Sequence, residues 1–595
     1  MDPALRELVA LGSGHDILEA TLRLHAGHLR VPPGVVQVAR FGDIRTVRVR
    51  RDQIERIWRR SEVASLKAPR VLQLDAPQEA VSPSTERAPR PRLAESGRGV
   101  VFGCVDWGFD VGHPAFRETR RGRRPGASRV LALWDQRAPR PGVPGETPEP
   151  YGYGRVLRRK DIDRALRTRA PYEALDYHPG DADRGAGAHG THVASIAAGS
   201  PRPDGEPGVA PNADLVFVHL ASGPLGGLAD LGDSVRILEA VDFIVREADG
   251  RPVVINLSVG RHGGAHTGGS LVERAFDQLV QSRPGITIVQ SAGNYGASRA
   301  HASGRLQPGD RRELGWQVRP GGAVHDELEV WYSNRDRFDI SLRAPGTDRA
   351  VTVALREARA LVDESGAEVG RVYHRAFDPN TPDHHIDVLL RRRAPGGLWT
   401  ATLIGREIAD GRFGAWIERD PQGRRGQSSF RHEDVDPTGT IGSIANTYMT
   451  ITVSAADTRG PFVSRARFAS QGPTRDGRSK PDLMAPGVRI RGARSTPRRS
   501  SVPMDLSTSM SGASQAAPYV AGIAALCQEA AEGQLDAHDM RRVLVGTGTS
   551  LPLTDTRDQD SPRLPDAAAA VAHARLLRLQ RTSSGKADRR VVRRA

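Results

Sequence analysis

Four short segments of the sequence carry side chains whose types and order could perform a reaction together. Asp106 ends an apolar run, His189 stands in a glycine-rich segment, Asn294 follows another apolar run, and Ser514 precedes a stretch rich in small residues. A serine hydroxyl is a weak nucleophile until a histidine takes its proton, and a carboxylate then orients the imidazole and stabilises its charged form. An asparagine at a strand end can donate a hydrogen bond to a developing oxyanion. These residue types, in this order, indicate nucleophilic acyl transfer.

Each of these residues, taken singly, also has a purely structural interpretation. Asp106 could be a solvated acid at the end of a strand, and turns such as the Gly-x-His-Gly sequence around His189 also serve structure. Ser514 could simply cap a helix, since serine is a good N-cap residue. Only their combination in one order favours the catalytic interpretation.

The segments that must position these side chains alternate between strand and helix patterns. Continuous apolar runs are typical of strands buried on both faces of a parallel sheet. Such runs occur at 100–105, 214–220, 252–257 and 286–290. Residues 233–248 carry apolar side chains at helical spacing, with Asp233 placed to cap the helix. The alternation predicts an α/β fold with a doubly wound, mostly parallel sheet, whose ligands bind beyond the carboxyl ends of the strands.

The composition and the hydrophobic periodicity of the sequence change several times along the chain, which predicts separate structural units. The first 75 residues carry strand and helix patterns, and the stretch that follows is rich in Pro, Ser, Arg and Glu without periodicity. A later stretch carries short strands separated by turn residues, typical of an all-β, sandwich-like insertion. The expected segments are a small N-terminal α/β unit at 1–75, a linker at 76–97, an α/β part at 98–298 and 437–580, the β-rich insertion at 299–436, and a basic disordered tail at 581–595.

The four segments, together with flanking motifs at 208–213, 255–258 and 481–487, resemble the subtilisin-like serine peptidases, or subtilases. The resemblance covers roughly residues 98–298 and 437–548. It implies a serine endopeptidase in which Ser514 is the nucleophile, His189 the general base and Asp106 the orienting carboxylate. It also implies that Asn294 and the backbone N–H of Ser514 donate to the oxyanion.

The same resemblance assigns the edges of a substrate cleft and the roles of further residues. His192 corresponds to a helix or core residue rather than a second base. No cofactor is implied, and Ala115 stands where the family often has an acidic calcium ligand, so no metal site is predicted. The pair at 384–385 is His-His, which lacks a third ligand at useful spacing and is interpreted as a polar strand end. The cleft edges expected to pair with an extended protein or peptide substrate are Ser258, Val259, Gly260, Ser291, Ala292 and Gly293.

Two spacings point to a subgroup of the family. The separation of 83 residues between Asp106 and His189 is long for a subtilase, and the 220 residues from Asn294 to Ser514 leave room for the insertion. Among subtilases, this layout is most similar to the Csp-type enzymes of clostridial spore germination. The N-terminal unit is similar to the prodomains of such enzymes, whose last extended segment, here near 71–75, would enter the active site before cleavage. A permanent accessory domain is the alternative.

Departures from the family pattern leave a second function open. Where the family commonly has Gly-Thr-Ser-Met, this chain has Gly512, Ala513, Ser514 and Gln515. Ala513 cannot supply the threonine hydroxyl that assists the oxyanion in the family. The alternative to a peptidase is therefore a catalytically weak or inactive pseudoprotease of the same fold, acting as a regulatory or binding module.

Composition narrows the setting in which this chemistry would take place. The formal net charge is +15, but the arginines are spread along the chain among 70 acids, so no nucleic-acid partner is expected. Cys104 and Cys527 exclude a disulfide framework and are expected to be small buried hydrophobes. No run of 18 apolar residues predicts a membrane helix, and the first residues do not resemble a secretory signal. We expect a cytoplasmic protein without a membrane partner, and the sequence leaves the oligomeric state open.

Overall fold

The structure is a computed structural model of the chain. The residues it describes are 2–10, 12–74, 93–118, 126–139, 142–201, 207–221, 233–319, 326–418, 426–498, 505–550 and 563–592. Most of the predicted linker at 76–97 lies outside these residues, and only its last five residues, 93–97, are described. Within them, no helix is long and apolar enough to cross a membrane.

The N-terminal unit is built around a four-stranded antiparallel sheet. Its elements are α1 (Pro3–Ala10), β1 (Ile17–Leu24), β2 (Val35–Phe41), β3 (Ile44–Arg50), α2 (Ile54–Trp58), β4 (Val63–Lys67) and β5 (Gln73–Leu74). The sheet order is β2-β3-β1-β4. Its core contains Leu18, Leu22 and Val47 from the strands and Ile54 from α2, because alternate strand residues point to the same face. Strand β5 leaves this sheet and pairs elsewhere.

The first stretch of the α/β part supplies most of the central sheet. Its elements are β6 (Val101–Asp106), β7 (Val130–Asp135), β8 (Arg155–Arg158), α3 (Arg159–Ala165), α4 (Pro171–Leu175), α5 (His189–Ala198), β9 (Asp214–His219), α6 (Ser234–Glu247), β10 (Val253–Leu257), β11 (Val259–Gly260), α7 (Leu271–Ser282) and β12 (Ile286–Ser291). The side chain of Asp233 accepts hydrogen bonds from the first backbone N–H groups of α6, as an N-cap does.

The β-rich insertion follows and consists of two antiparallel sheets. Its strands are β13 (His301–Arg305), β14 (Arg311–Val318), β15 (Asp326–Tyr332), β16 (Arg337–Arg343), β17 (Ala350–Ala354), β18 (Ala358–Val362), β19 (Glu368–Arg375), β20 (His384–Leu390), β21 (Gly397–Glu407), β22 (Arg412–Ile417) and β23 (Ser429–Phe430). The sheet orders are β13-β22-β15-β20-β19-β18 and β17-β16-β21-β14-β23. Trp316 and Trp399 from one sheet share a core with Leu328 and Ile386 from the other, so the two sheets form a sandwich.

The last stretch completes the central sheet and adds three helices. Its elements are β24 (Ile451–Asp457), β25 (Ser464–Arg465), β26 (Leu483–Pro486), β27 (Ile490–Ala493), β28 (Ser507–Met510), α8 (Ala513–Ala530), α9 (Ala537–Gly546), β29 (Thr549–Ser550), β30 (Arg563–Leu564) and α10 (Ala567–Val592). The sheet order is β25-β24-β12-β10-β6-β9-β7-β8, with β26 paired to β24. The inner strands are parallel, whereas β8 and β25 are antiparallel to their neighbours.

Helices cover both faces of this sheet. On β6, Phe102 and Cys104 belong to the cluster that contains α5 and α8, while Val101 and Val105 belong to the cluster that contains α6 and α7. Successive strand residues point to opposite faces, so both faces of the strand are buried. The predicted doubly wound α/β fold with an all-β insertion is confirmed.

The final helix extends into the range 581–595, for which a basic disordered tail stays a prediction. Helix α10 runs as far as Val592. Its first turns bury Ala570, Val571 and Ala574 in the same core as α8. This packing stabilises the start of the helix, since most helical stability in proteins comes from tertiary contacts.

Ion pairs attach the N-terminal unit to both of its neighbours. Arg48 binds Glu239 of α6 through two hydrogen bonds of 2.9 and 3.0 Å. Towards the insertion, Arg70 binds Glu327 at 2.8 Å. These contacts fix the N-terminal unit, and hence the start of β5, against the rest of the molecule.

Candidate active site

Asp106 and His189 form a hydrogen-bonded pair at the carboxyl end of β6. The Nδ1 atom of His189 lies 2.8 Å from Oδ1 and 2.9 Å from Oδ2 of Asp106, and both side chains are buried. The backbone N–H of Trp107 donates to Asp106 Oδ1 at 2.7 Å. The carboxylate therefore accepts from Nδ1–H, which leaves Nε2 of the neutral ring as the basic nitrogen.

The local chain path explains why the imidazole meets this carboxylate. His189 is the first residue of α5, and the loop after β6 holds that helix start through two backbone bonds. The N–H of Gly190 donates to Trp107 at 2.8 Å, and the N–H of Thr191 donates to Gly108 at 3.0 Å. These backbone bonds hold the start of α5 directly against the loop after β6, and this brings the imidazole ring to the carboxylate.

Ser514 is the second residue of α8, which packs against α5. Its side chain is fully buried, and its carbonyl oxygen accepts a 3.3 Å hydrogen bond from Ser258 Oγ. Within the described residues, neither Ser514 Oγ nor His189 Nε2 has a hydrogen-bond partner. These are the two atoms between which a proton would move when the hydroxyl attacks, and such contacts are often loose without substrate.

Asn294 and the start of α8 come together beside Gly512. The Oδ1 atom of Asn294 accepts from the backbone N–H of Ala513 at 2.9 Å, which orients the carboxamide so that Nδ2 is its donating end. A Cβ atom on Gly512 would lie 3.2 Å from Asn294 Nδ2 and 3.6 Å from the N atom of Ser514. A side chain on Gly512 would therefore crowd both N–H donors, and glycine keeps the approach to them clear, which suits an oxyanion hole.

Gln515 is a further residue beside Gly512. In the sequence it stands out only as a departure from the family pattern. Its side chain is fully buried, and its Oε1 atom would lie 2.8 Å from the same Cβ position on Gly512. A polar residue directly after the nucleophile was the available signal, but nothing in the sequence gives the direction of its side chain.

One predicted edge of the cleft is already paired with the chain itself. Strand β11 pairs antiparallel with β5, so that Val259 lies opposite Leu74 and Gly260 opposite Gln73. Just before β5, the backbone of Arg70 accepts from Ser234 N–H at 2.9 Å. The described part of the predicted segment 71–75 therefore lies along this edge as an added strand.

The other predicted edge already uses several of its backbone groups in bonds to the rest of the fold. The N–H of Ala292 donates to Val453 at 2.8 Å, and its carbonyl accepts from Gly442 N–H at 2.9 Å. The carbonyl of Gly293 accepts from Ser470 N–H at 3.1 Å. Residues 291–293 can therefore form a wall of the cleft, and the edge that contains β11 is the one at which strand addition is seen.

His192 lies one turn after His189 on α5 and makes different contacts. Its Nε2 atom lies 3.1 Å from the carbonyl oxygen of Ile490 and 3.3 Å from that of Thr508, so Nε2–H donates to β27 and β28. The ring is fully buried. This imidazole joins a helix to a strand pair, which agrees with a structural role.

The two cysteines are fully buried on the face of the sheet that α5 and α8 cover. Burial raises the pKa of the Cys527 thiol, and burial together with the Asp106 carboxylate raises the pKa of Cys104. Both therefore remain neutral thiols, which are poor nucleophiles.

A buried ionic cluster surrounds one histidine of the pair at 384–385. His385 Nε2 lies 2.9 Å from Asp387 and 3.4 Å from Glu329, which the pairing of β15 with β20 brings beside it. Burial alone would lower the pKa of His385, but Asp387 and Glu329 outweigh it and raise this pKa to about 9. Glu329 also binds Arg261 at 2.8 Å. The charged imidazole of His385 and the guanidinium of Arg261 already neutralise these carboxylates. The cluster therefore acts as an ionic link between the insertion and the residue that follows β11.

Comparisons with known proteins identify the family. A model of the Subtilase family matches residues 97–318 and 426–566, so the chain belongs to the subtilase family. It is 27% identical over 512 residues to the C5a peptidase of Streptococcus pyogenes serotype M1, covering 80% of this chain and 39% of that protein. It is 38% identical over 109 residues to tripeptidyl-peptidase 2 of Drosophila melanogaster, covering 18% of this chain and 7% of that protein. The chain spans about two fifths of the length of the C5a peptidases it matches.

A solved structure gives the same fold assignment. The CspB protease of Clostridium perfringens superposes with a TM-score of 0.64 at 21% identity, covering 81% of this chain and 95% of that one. The predicted subtilase family is confirmed. The CspB protease is also a solved structure of the Csp type, whose layout the sequence resembles. At this level of identity, the likeness shows the shared fold.

Proposed function

We propose that this protein is a serine endopeptidase that acts through an acyl-enzyme on Ser514. The observation that carries the proposal is the buried bond from His189 to Asp106, which leaves His189 Nε2 without a partner beside the helix that bears Ser514. The donors around Gly512 support the same chemistry. No cofactor is needed, because the side chains themselves supply the nucleophile, the base and the stabilising charge.

In the first step, Ser514 Oγ attacks a peptide carbonyl carbon and its proton passes to His189 Nε2. The π electrons of the carbonyl move to oxygen, where Asn294 Nδ2–H and the Ser514 N–H stabilise the negative charge. Asp106 stabilises the imidazolium. The C–N bond then breaks as the leaving amine takes the proton from Nε2, and water hydrolyses the resulting ester by the same route.

The substrate in this proposal is an extended protein or peptide segment. Strand addition along β11 would supply main-chain hydrogen bonds whatever the side chains are. The pairing of β5 with β11 supports this mode, since it places an extended segment of the chain at that edge. The side chains preferred by the cleft and the cellular substrate are separate questions, and the cytoplasmic location stays a prediction.

The proposal is tested with a fluorophosphonate probe, which reacts with activated serine hydroxyls. Wild type should be labelled, and Ser514→Ala should lose the label while keeping its thermal unfolding transition. A wild-type protein that folds but takes no label would favour the pseudoprotease, since the remaining family features would then serve binding alone.

We further propose that the N-terminal unit is a prodomain that the enzyme cleaves from itself. Leu74 is the last described residue of β5 and lies opposite Val259, which directly follows Ser258, whose hydroxyl contacts Ser514. We therefore expect cleavage in the sequence that follows Leu74, where tethering makes the effective concentration of the scissile bond high.

Intact mass of the full chain tests the self-cleavage. Wild type should yield a new N-terminus between about residues 70 and 100, while Ser514→Ala should remain whole. An active wild type with an uncleaved chain would identify residues 1–75 as a permanent accessory domain.

A further inference from the structure

The carboxamide of Gln515 is a buried polar group that the structure leaves without hydrogen bonds. The residue is fully buried at the start of α8, directly after Ser514. Neither Oε1 nor Nε2 has a partner among the described residues. Buried polar atoms are bonded in the great majority of cases, and leaving one unbonded costs about 1–3 kcal/mol. A group kept in this state needs an explanation.

The position of this carboxamide suggests what it is for. Three polar atoms surround the point where Gly512 would carry a Cβ atom. They are Gln515 Oε1 at 2.8 Å, Asn294 Nδ2 at 3.2 Å and Ser514 N at 3.6 Å. Two of the three are the oxyanion donors of the proposed mechanism. The end of the Gln515 side chain therefore borders the space in which the reacting carbonyl oxygen would lie.

We propose that Gln515 is a third donor of the oxyanion hole and gives its Nε2–H to the substrate oxygen as that oxygen becomes negative. This inference rests on the proposed function and names a further catalytic residue for it. A half-turn about the last side-chain bond exchanges Oε1 and Nε2 in almost the same volume. Since no partner holds either atom, this turn breaks no hydrogen bond.

The sequence around the nucleophile gives an independent reason for such a donor. Ala513 has no hydroxyl, so it cannot assist the oxyanion from its own position. A carboxamide two residues later supplies an N–H from the other side of Ser514. The reaction itself is unchanged, with the same bonds formed and broken, and only the stabilisation of the charged oxygen differs.

Kinetics of Gln515→Leu and of Gln515→Met test the proposal. The second variant keeps an unbranched side chain of similar length, so it guards against a failure to fold. Loss of a main oxyanion donor costs about 10²–10³ in kcat, and we expect about tenfold for this third donor, with KM nearly unchanged. Affinity for a peptide aldehyde, whose hemiacetal on Ser514 carries the same oxyanion, should fall by the same factor.

The matched control is Gln528→Leu on the same helix. Gln528 is also fully buried, but its Nε2 donates to Leu535 at 3.2 Å, away from the cleft. This variant should lower the melting temperature and leave kcat unchanged. If both glutamine variants affect kcat equally, the effect comes from the helix as a whole and the proposal is wrong.

Gln515→Glu adds a readout that a merely structural role would not change. An ionised carboxylate at this point repels the oxyanion, so the loss of kcat should exceed that of Gln515→Leu at high pH and lessen towards low pH. If the probe labels wild type while every Gln515 variant retains full kcat and aldehyde affinity, the third donor is excluded and the peptidase stands. If wild type is not labelled, the proposed function itself fails.

Discussion

The two halves of the candidate active site differ in how their polar groups are satisfied. On one side, which we call the orienting half, Asp106 accepts from both His189 and Trp107. On the other side, which we call the reacting half, the hydroxyl of Ser514 and both polar atoms of Gln515 have no hydrogen-bond partner within the described residues.

This difference separates two tasks. The orienting half must hold one tautomer and one ring orientation before substrate arrives, so its bonds are already made. The reacting half must bind an oxygen that becomes charged only in the transition state, so donors kept free for it lose no bond when it forms. The largest consequences of mutation should therefore appear in kcat rather than in stability.

The strongest way to break the orienting half is Asp106→Asn. An amide can hold the ring in the wrong tautomer and cannot stabilise the imidazolium, so kcat on a peptide substrate should fall by about 10⁴. Steady-state kinetics with active-site titration measures this. A loss below about tenfold would mean that the pair is structural only.

The corresponding change in the reacting half is Asn294→Ala. Removing one main donor should lower kcat by about 10²–10³ and leave KM nearly unchanged, because the bond forms mainly in the transition state. Asn212→Ala, at an exposed asparagine outside the cleft, is the control and should have no effect. A change confined to KM would place Asn294 in substrate binding instead.

His192→Ala sharpens the comparison by removing the other imidazole of α5. The loss of its bonds to Ile490 and Thr508 should lower the free energy of unfolding by about 1–3 kcal/mol. The change in kcat should stay within about threefold. Urea unfolding and kinetics on the same sample test both, and a loss of kcat equal to that of His189→Ala in a stable protein would contradict the assignment of the base.

The smallest expected effect concerns His219, which contacts the loop after β6 next to the orienting half. His219 Nδ1 lies 2.9 Å from Tyr177 Oη and 3.3 Å from Gly108 N, so it accepts from the loop after β6. Burial, with a contribution from Arg137, lowers the pKa of His219 to about 4. The unfolded chain binds this proton more readily, so the stabilisation is complete above about pH 6.5 and is lost as the pH falls towards 4.

Urea unfolding at pH 7 and pH 5 measures this dependence. The contribution of His219 should amount to about 2 kcal/mol between these two values, and His219→Gln should lack it. An identical pH dependence in wild type and variant would show that the ring is not held neutral by the fold.

Several features of the site were predictable from local sequence because local physics sets them. The apolar run ending at Asp106 has to be a buried strand, and the small residues after Ser514 have to be a packed helix. Parallel strands then bring their carboxyl ends, including the approach to Asn294, to one edge. The order of the segments and the resemblance to a family supplied the roles.

Other features depend on contacts between residues far apart in the chain. The pairing of Leu74 with Val259, and the use of the Ala292 backbone groups by Val453 and Gly442, follow from tertiary register, which a linear pattern does not encode. The same holds for Glu329 beside His385, since cross-strand partners come from the sheet. Likewise, the first turns of helix α10 pack against α8, which is far away in the sequence.

The sequence by itself predicted the doubly wound sheet and the β-rich insertion, and its resemblance to a family supplied the family and the candidate site residues Asp106, His189, Asn294 and Ser514. Residue type and periodicity suffice for the strands and helices, because burial and hydrogen-bonding demands act within each segment. Only the tertiary structure decided which groups are already bonded and which are left free. It closed the bond from Asp106 to His189, assigned the β11 edge to a chain segment, and turned Gln515 towards the space beside Gly512. Those outcomes depend on side-chain direction and on long-range packing, which are fixed only when the segments meet.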